Sequence, residues 1–265
     1  MAFSFLFRVL FRGRLVALLS SAVSFVLFAS FLAFMFGGRQ PVTTALDVGI
    51  SAIRLVVPFL IVFWVQDLVH KEFERRLYSL SMTYPCSRAR WLVARFLTLL
   101  LVVMVAVLLC SLVLAVQIGF FAEFSTQGTA VALGGAYGVA VALIFVDSLV
   151  LLCVALFLSV VAKTPSFVLL GTLGFMLIAR TYVAVISLLA GNVGLVVGEE
   201  TYASGLGLLG YLLPDLGGLD VRAISLYGNM AFLPEGWWLT VLSALVYAAM
   251  FLSISIWALQ RKRLV

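Results

Sequence analysis

The sequence predicts an all-α integral membrane protein with six transmembrane helices. Three observations predict it. Of the 265 residues, 65% are hydrophobic and only 11% are charged, against roughly 45–50% and about 25% in soluble domains. Mean hydropathy is +1.23, more apolar surface than a soluble fold of this length buries. The apolar residues also come in continuous blocks such as Phe96–Val116, where a membrane barrel would alternate apolar and polar positions over strands of about ten residues. Helices satisfy their own backbone groups in lipid, so unbroken blocks read as helices.

A span needs about 20 apolar residues. Six segments qualify: 15–36, 51–69, 91–118, 129–161, 166–190 and 237–259. The first is too long for a signal h-region, so it is read as a span that stays in place. The fourth exceeds the need and predicts tilt, a kink or a protruding end. Gly134, Gly135 and Gly138 near its start allow close helix packing there. Three segments do not span. Residues 1–13 carry Phe3, Leu6, Phe7, Leu10 and Phe11 at helical spacing beside Arg8 and Arg12, the pattern of an N-terminal interfacial helix. Residues 70–90 form the longest loop on one side. Residues 191–236 form the longest on the other, too apolar around Leu206–Leu213 for a wet loop, which predicts a re-entrant or membrane-lying segment.

Lys and Arg assign the sides. Arg8, Arg12, Arg14, Lys71, Arg75, Arg76, Arg88, Arg90, Arg95, Lys163, Arg261, Lys262 and Arg263 collect on one side, with both termini; that side is expected to be cytoplasmic. Arg39, Arg54 and Arg222 fall to the other, external side, with Asp47, Glu123, Glu199, Glu200, Asp215, Asp220 and Glu235. The net charge of +6 is therefore read as a topology signal and not as a nucleic-acid footprint. Cys86, Cys110 and Cys153 are scattered and show no disulfide or metal spacing. His70 is the sole histidine, and Glu199, Glu200, Asp215 and Asp220 read as solvated loop charge, so no metal site is expected.

Two ionisable residues fall deep inside spans, Asp147 and Arg180. Asp147 lies 16 residues before Lys163 and Arg180 17 after it, which puts both about 25 Å from the connecting turn at ~1.5 Å per residue. An interhelical ion pair is expected. It serves either as a structural pin or as a polar element of a transport path, with a snorkelling Arg180 as the alternative.

The loop 70–90 places Phe73, Leu77, Leu80 and Tyr84 on one helical face, with Glu72, Glu74, Arg75 and Arg76 on the rest, and Pro85 ends the helix. Such a helix rests on headgroups or docks in a partner's groove. Here Glu74, Arg75, Leu77, Leu80, Pro85, Ser87, Arg88 and Trp91 resemble the cytoplasmic stretch of the type-two ABC exporter permease family. Tyr211-Leu212-Leu213-Pro214-Asp215, Tyr227-Gly228 and the closing Arg261-Lys262-Arg263-Leu264 resemble the end of its multicopper-enzyme-maturation permease branch. The context Thr83-Tyr84-Pro85-Cys86 departs from that pattern, where small aliphatic residues are usual.

The resemblance implies a transmembrane permease subunit of a bacterial inner-membrane exporter. Its coupling helix would contact a separate ABC ATP-binding subunit through Glu72, Phe73, Glu74, Arg75, Leu77 and Leu80. The further partners implied are a second permease copy or a similar permease chain, and membrane lipid. ATP and Mg would be held by the partner subunit and no cofactor by this chain, which lacks a G-x-x-x-x-G-K-[ST] loop. The alternatives are an ATP-independent secondary transporter or channel, a membrane assembly protein, or an intramembrane enzyme. The last needs a second acid or a histidine at the depth of Asp147, and the spans supply neither.

Overall fold

The computed structural model describes residues 14–70, 72, 87–125, 127–128, 131–162, 164–191 and 213–262. Among these there is no strand. Six helices are long and apolar enough to cross a membrane. They are α1 (Arg14–Phe36), α2 (Pro41–Val65), α3 (Arg88–Phe124), α4 (Gly135–Val161), α5 (Pro165–Gly191) and α7 (Trp237–Arg261). A short α6 (Arg222–Tyr227) and a 3₁₀ turn (Met230–Phe232) precede α7. The expected interfacial helix 1–13 lies outside the described residues. So do most of the 70–90 loop, Lys163 and residues 192–212.

Helix starts follow local chemistry. Pro41 opens α2 at a position where its missing N–H costs nothing. Ser87 caps α3 by accepting from the Arg90 N–H. Gly228, at φ +63°, lets α6 end in a left-handed turn. The predicted second span began at 51, whereas α2 begins ten residues earlier, at Pro41. Thr43, Thr44 and Asp47 lower the hydropathy of those first turns without breaking the helix. The fourth span was set from 129, but its helix starts at Gly135.

The core sits on α2 and α4. In α2 67% of the apolar window is buried and in α4 61%, against 17% in each of α1, α5 and α7. The first two are therefore the axis, and the other three line the perimeter. The most extensive packing is α1 on α2 and α7 on α4, with α3 touching both central helices. Trp64, Leu46, Ile50, Leu99, Leu114 and Leu151 are fully buried there. Perimeter side chains such as Phe28, Leu170 and Leu245 stay exposed, as lipid-facing positions do.

Polar side chains tie helix to helix through backbone carbonyls. Ser30 Oγ donates to the Ala45 carbonyl (3.1 Å), Gln117 Nε2 to Leu27 (3.0 Å) and Tyr137 Oη to Ser111 (2.7 Å). The close packing that the glycines of α4 allow is not used: a Cβ at Gly134, Gly135 or Gly138 would meet nothing within 4 Å. The tight approaches are at Gly49, whose missing Cβ makes room for Leu114 of α3, and at Gly171, against Leu158 of α4. Cys110 and Cys153 are buried and free.

Candidate functional site: a buried charge cluster between helices

Asp147 and Arg180 each lie near the middle of their helices, and the bundle brings them together. Arg180 Nη2 donates to Asp147 Oδ2, and the Asp147 side chain is 1% exposed. A carboxylate so buried requires a cation, because an unpaired charge in low dielectric costs several kcal/mol.

A third member stands beside them. Arg54, near the middle of α2, is buried, with Nη2 3.9 Å from Asp147 Oδ2. Its placement among external loop charges is corrected: it lies inside α2 and points into the bundle's charge cluster. Arg54 also pairs with Asp220 at 2.5 Å, and Arg222 binds Asp47 at 3.0 Å and Asp220 at 3.5 Å. Arg222 Nη1 further donates to Ser51 Oγ. Asp220 is therefore corrected from solvated loop charge to an ion-pair partner. Asp47, Ser51 and Arg54 fall at i, i+4 and i+7 and share one face of α2. Three arginines meet three aspartates, so the cluster is neutral as a whole.

Proline chemistry adds one more link. Pro58 sits inside α2, where it has no N–H to give to the carbonyl four residues earlier, that of Arg54. Arg180 Nη1 donates to that freed carbonyl at 3.0 Å. A proline-made vacancy in one helix thus receives a cation from another.

The chain after residue 212 completes the site. Leu216 N–H donates to the Ala179 carbonyl (3.1 Å), next to Arg180 near the middle of α5, and Arg54 Nη2 donates to the Leu216 carbonyl (3.1 Å). Non-helical backbone therefore reaches the level of the charge cluster, with the Leu216 N–H and carbonyl both bonded. The approach is close enough to demand glycine, since a Cβ at Gly217 would lie 2.6 Å from the Arg180 carbonyl oxygen. Asp215 Oδ1 accepts from Gly218 N–H (2.9 Å) and holds the turn. Ser225 and Ala132 then exchange hydrogen bonds that anchor α6 beside the start of α4. An open pocket of about 290 Å³ remains between these elements, lined by Ser51, Arg54, Arg180, Gly217, Asp220 and Arg222.

The opposite end of the bundle carries a second set of ties. Arg88 Nη1 donates to the carbonyls of Leu259 (3.3 Å), Gln260 (3.1 Å) and Lys262 (3.0 Å), closing the C-terminus of α7. Lys262 Nζ donates to the Val160 carbonyl at 2.6 Å, and burial holds its ammonium below the ordinary lysine range. Glu72 pairs with Arg95 at 2.5 Å. Burial lifts the Glu72 carboxyl above its ordinary 4.5, and the Arg95 charge opposes that rise. Of the expected partner-contact residues only Glu72 is described; Phe73, Glu74, Arg75, Leu77 and Leu80 lie outside the described residues. Among the described residues no cluster of His, Cys, Asp or Glu could hold a metal ion. No family model and no curated protein matches the chain.

Proposed function

We propose that this chain is the transmembrane permease subunit of an ATP-driven exporter, with ATP and Mg held by a separate ATP-binding subunit. The observation that carries the reading is how the run between the second and third spans is mounted. At one foot Glu72 is tied to Arg95 of α3. At the other, Arg88 opens α3 and grips the end of α7. A helix resting on headgroups needs no such mounting. A helix that passes a partner's movement to the bundle needs both feet attached to spans. The external chain that turns inward to Leu216 and rises to α6 is read as a re-entrant segment, in line with the same family layout. Both termini are read as cytoplasmic, and a second permease copy or a similar chain as the other half of the pathway.

The test is co-purification with candidate ATP-binding subunits from the same genome, comparing wild type with Leu77→Asp. Leu77→Asp puts an unpaired charge in the contact, costing several kcal/mol if fully desolvated. Wild type should retain the subunit and show coupled ATP hydrolysis, while Leu77→Asp should lose both yet insert normally. Full coupled turnover in Leu77→Asp would sink the assignment. A secondary transporter is the second reading, favoured by ionisable groups at mid-bundle depth; it predicts transport with no ATP-binding subunit retained.

A further inference from the structure

We propose that the pocket between α2, α5 and the 213–222 chain is a binding site for an oxyanion, the phosphate or carboxylate group of a small solute or of a lipid headgroup. The proposal stands on the pocket itself and is independent of how the protein is energised.

The cluster is neutral in total, but the pocket wall is not. Of the three aspartates only Asp220 is among the lining residues, while all three arginines are. Asp147 is buried against Arg54 and Arg180, Asp47 pairs with Arg222, and neither lines the pocket. The wall therefore presents three positive groups, one negative group and the Ser51 hydroxyl. The pairing within the cluster is also incomplete. Three arginines carry about fifteen N–H donors. The acceptors that face them are the Asp47, Asp147 and Asp220 carboxylates, Ser51 Oγ and the Arg54 and Leu216 carbonyls. Among the described residues Arg180 Nε and Asp147 Oδ1 are both buried with no hydrogen-bond partner.

Asp220 shows what fits. Its carboxylate lies 2.5 Å from Arg54 Nη1 and 3.5 Å from Arg222 Nε, so one planar oxyanion already bridges two forks. It arrives on a non-helical segment and is only partly buried, which makes it a tethered ligand that a free oxyanion displaces or joins. Guanidinium forks match carboxylate and phosphate in shape as well as charge. A volume of about 290 Å³ admits a headgroup-sized solute.

The experiment uses the full chain purified in detergent without anionic buffer. Binding of radiolabelled inorganic phosphate is measured for wild type, Arg222→Gln, Arg222→Lys and Asp220→Asn. In parallel, the protein is reconstituted in phosphatidylcholine vesicles containing phosphatidylglycerol, and retained lipid is counted by native mass spectrometry. Wild type should bind one probe saturably. Arg222→Gln should weaken it roughly ten- to hundredfold, the scale of a charged hydrogen bond, and Arg222→Lys should lie between. Asp220→Asn should tighten binding while lowering thermal stability, because it removes the competing carboxylate together with a structural tie. That opposite pair of signs separates a ligand site from a purely structural one. Saturable phosphate binding identifies a soluble oxyanion; selective phosphatidylglycerol retention with no phosphate binding identifies a headgroup. Should Arg222→Gln fail to fold, Asp220→Asn and Arg222→Lys decide. Failure of wild type to bind either probe saturably, or equal binding in all folded variants, overturns the proposal.

Discussion

Asp147→Asn is the substitution with the most calculable result. Asp147 Oδ2 contacts Arg180 Nη2 and stands 3.9 Å from Arg54 Nη2. Amidation leaves both guanidiniums in place and removes the charge between them. Arg54 keeps Asp220 at 2.5 Å, but Arg180 keeps only neutral acceptors, the Arg54 carbonyl and the new amide oxygen. A unit-charge contact at 4 Å contributes about 4 kcal/mol at an effective dielectric of 20. Breaking buried pairs costs about 3–5 kcal/mol. Interhelical hydrogen bonds in membranes average only about 0.6 kcal/mol, which bounds the effect from below. A loss of about 3 kcal/mol is expected. The assay is reversible unfolding in mixed micelles with increasing dodecyl sulfate, run as a cycle with Arg180→Gln. The double variant orphans no charge at Arg180, so the two losses should overlap by about 2 kcal/mol or more. Arg54→Gln with Asp147→Asn should couple more weakly, since Asp220 still needs its cation. A coupling below about 0.5 kcal/mol for the first pair would refute the reasoning.

Three further outcomes are expected. Gly217→Ala should push the 213–222 chain off α5, with a loss of about 2 kcal/mol seen as a lower melting temperature; an unchanged melt would show that the close approach is not needed. Because the Glu72 carboxyl is held above its ordinary 4.5, its contribution to stability should be full below pH 4.5 and fall as pH rises through the raised value. Melting temperatures from pH 4 to 8 should lose that stretch of dependence in Glu72→Gln, and identical profiles would reject it. A cysteine at Glu235 should react with an impermeant reagent from outside and one at Lys262 should not; external labelling of Lys262 would reverse the topology.

Run length made the helices legible. Apolar blocks of about 20 residues leave lipid few alternatives, so the placements of α1, α5 and α7 differ from the apolar windows by no more than two residues. The start of α2 was harder to read, because hydropathy falls at Thr43, Thr44 and Asp47 while the helix continues through them. Equal depth made Asp147 and Arg180 a legible pair. Arg54 was misplaced although it falls inside the predicted span 51–69. Its position near the apparent edge, in a segment whose true start was unseen, let it pass as a loop charge. A signal did exist in Pro58, four residues on, which frees the Arg54 carbonyl. Asp220 and Arg222 carried no such signal. Their partners lie on α2, some 170 residues away in sequence, and only the inward turn at Leu216 brings them there. The glycines of α4 left the packing open, because small residues permit close packing without requiring it.

The charge cluster also sets an order of events during synthesis. Arg54 is made well before Asp147, Arg180 and Asp220. An arginine at mid-span resists insertion by about 2.5–3.5 kcal/mol on a translocon scale. Its eventual neighbour in α4 is roughly ninety residues downstream, on the order of 5–20 s at translation speeds of ~5–20 residues per second. For that interval α2 carries a cation with only Asp47, on its own helical face, to offset it. A nascent chain in this condition is expected to wait at the translocon or the interface until the later helices arrive. The second helix would then be seated by the fourth and fifth, an order of assembly different from the order of translation.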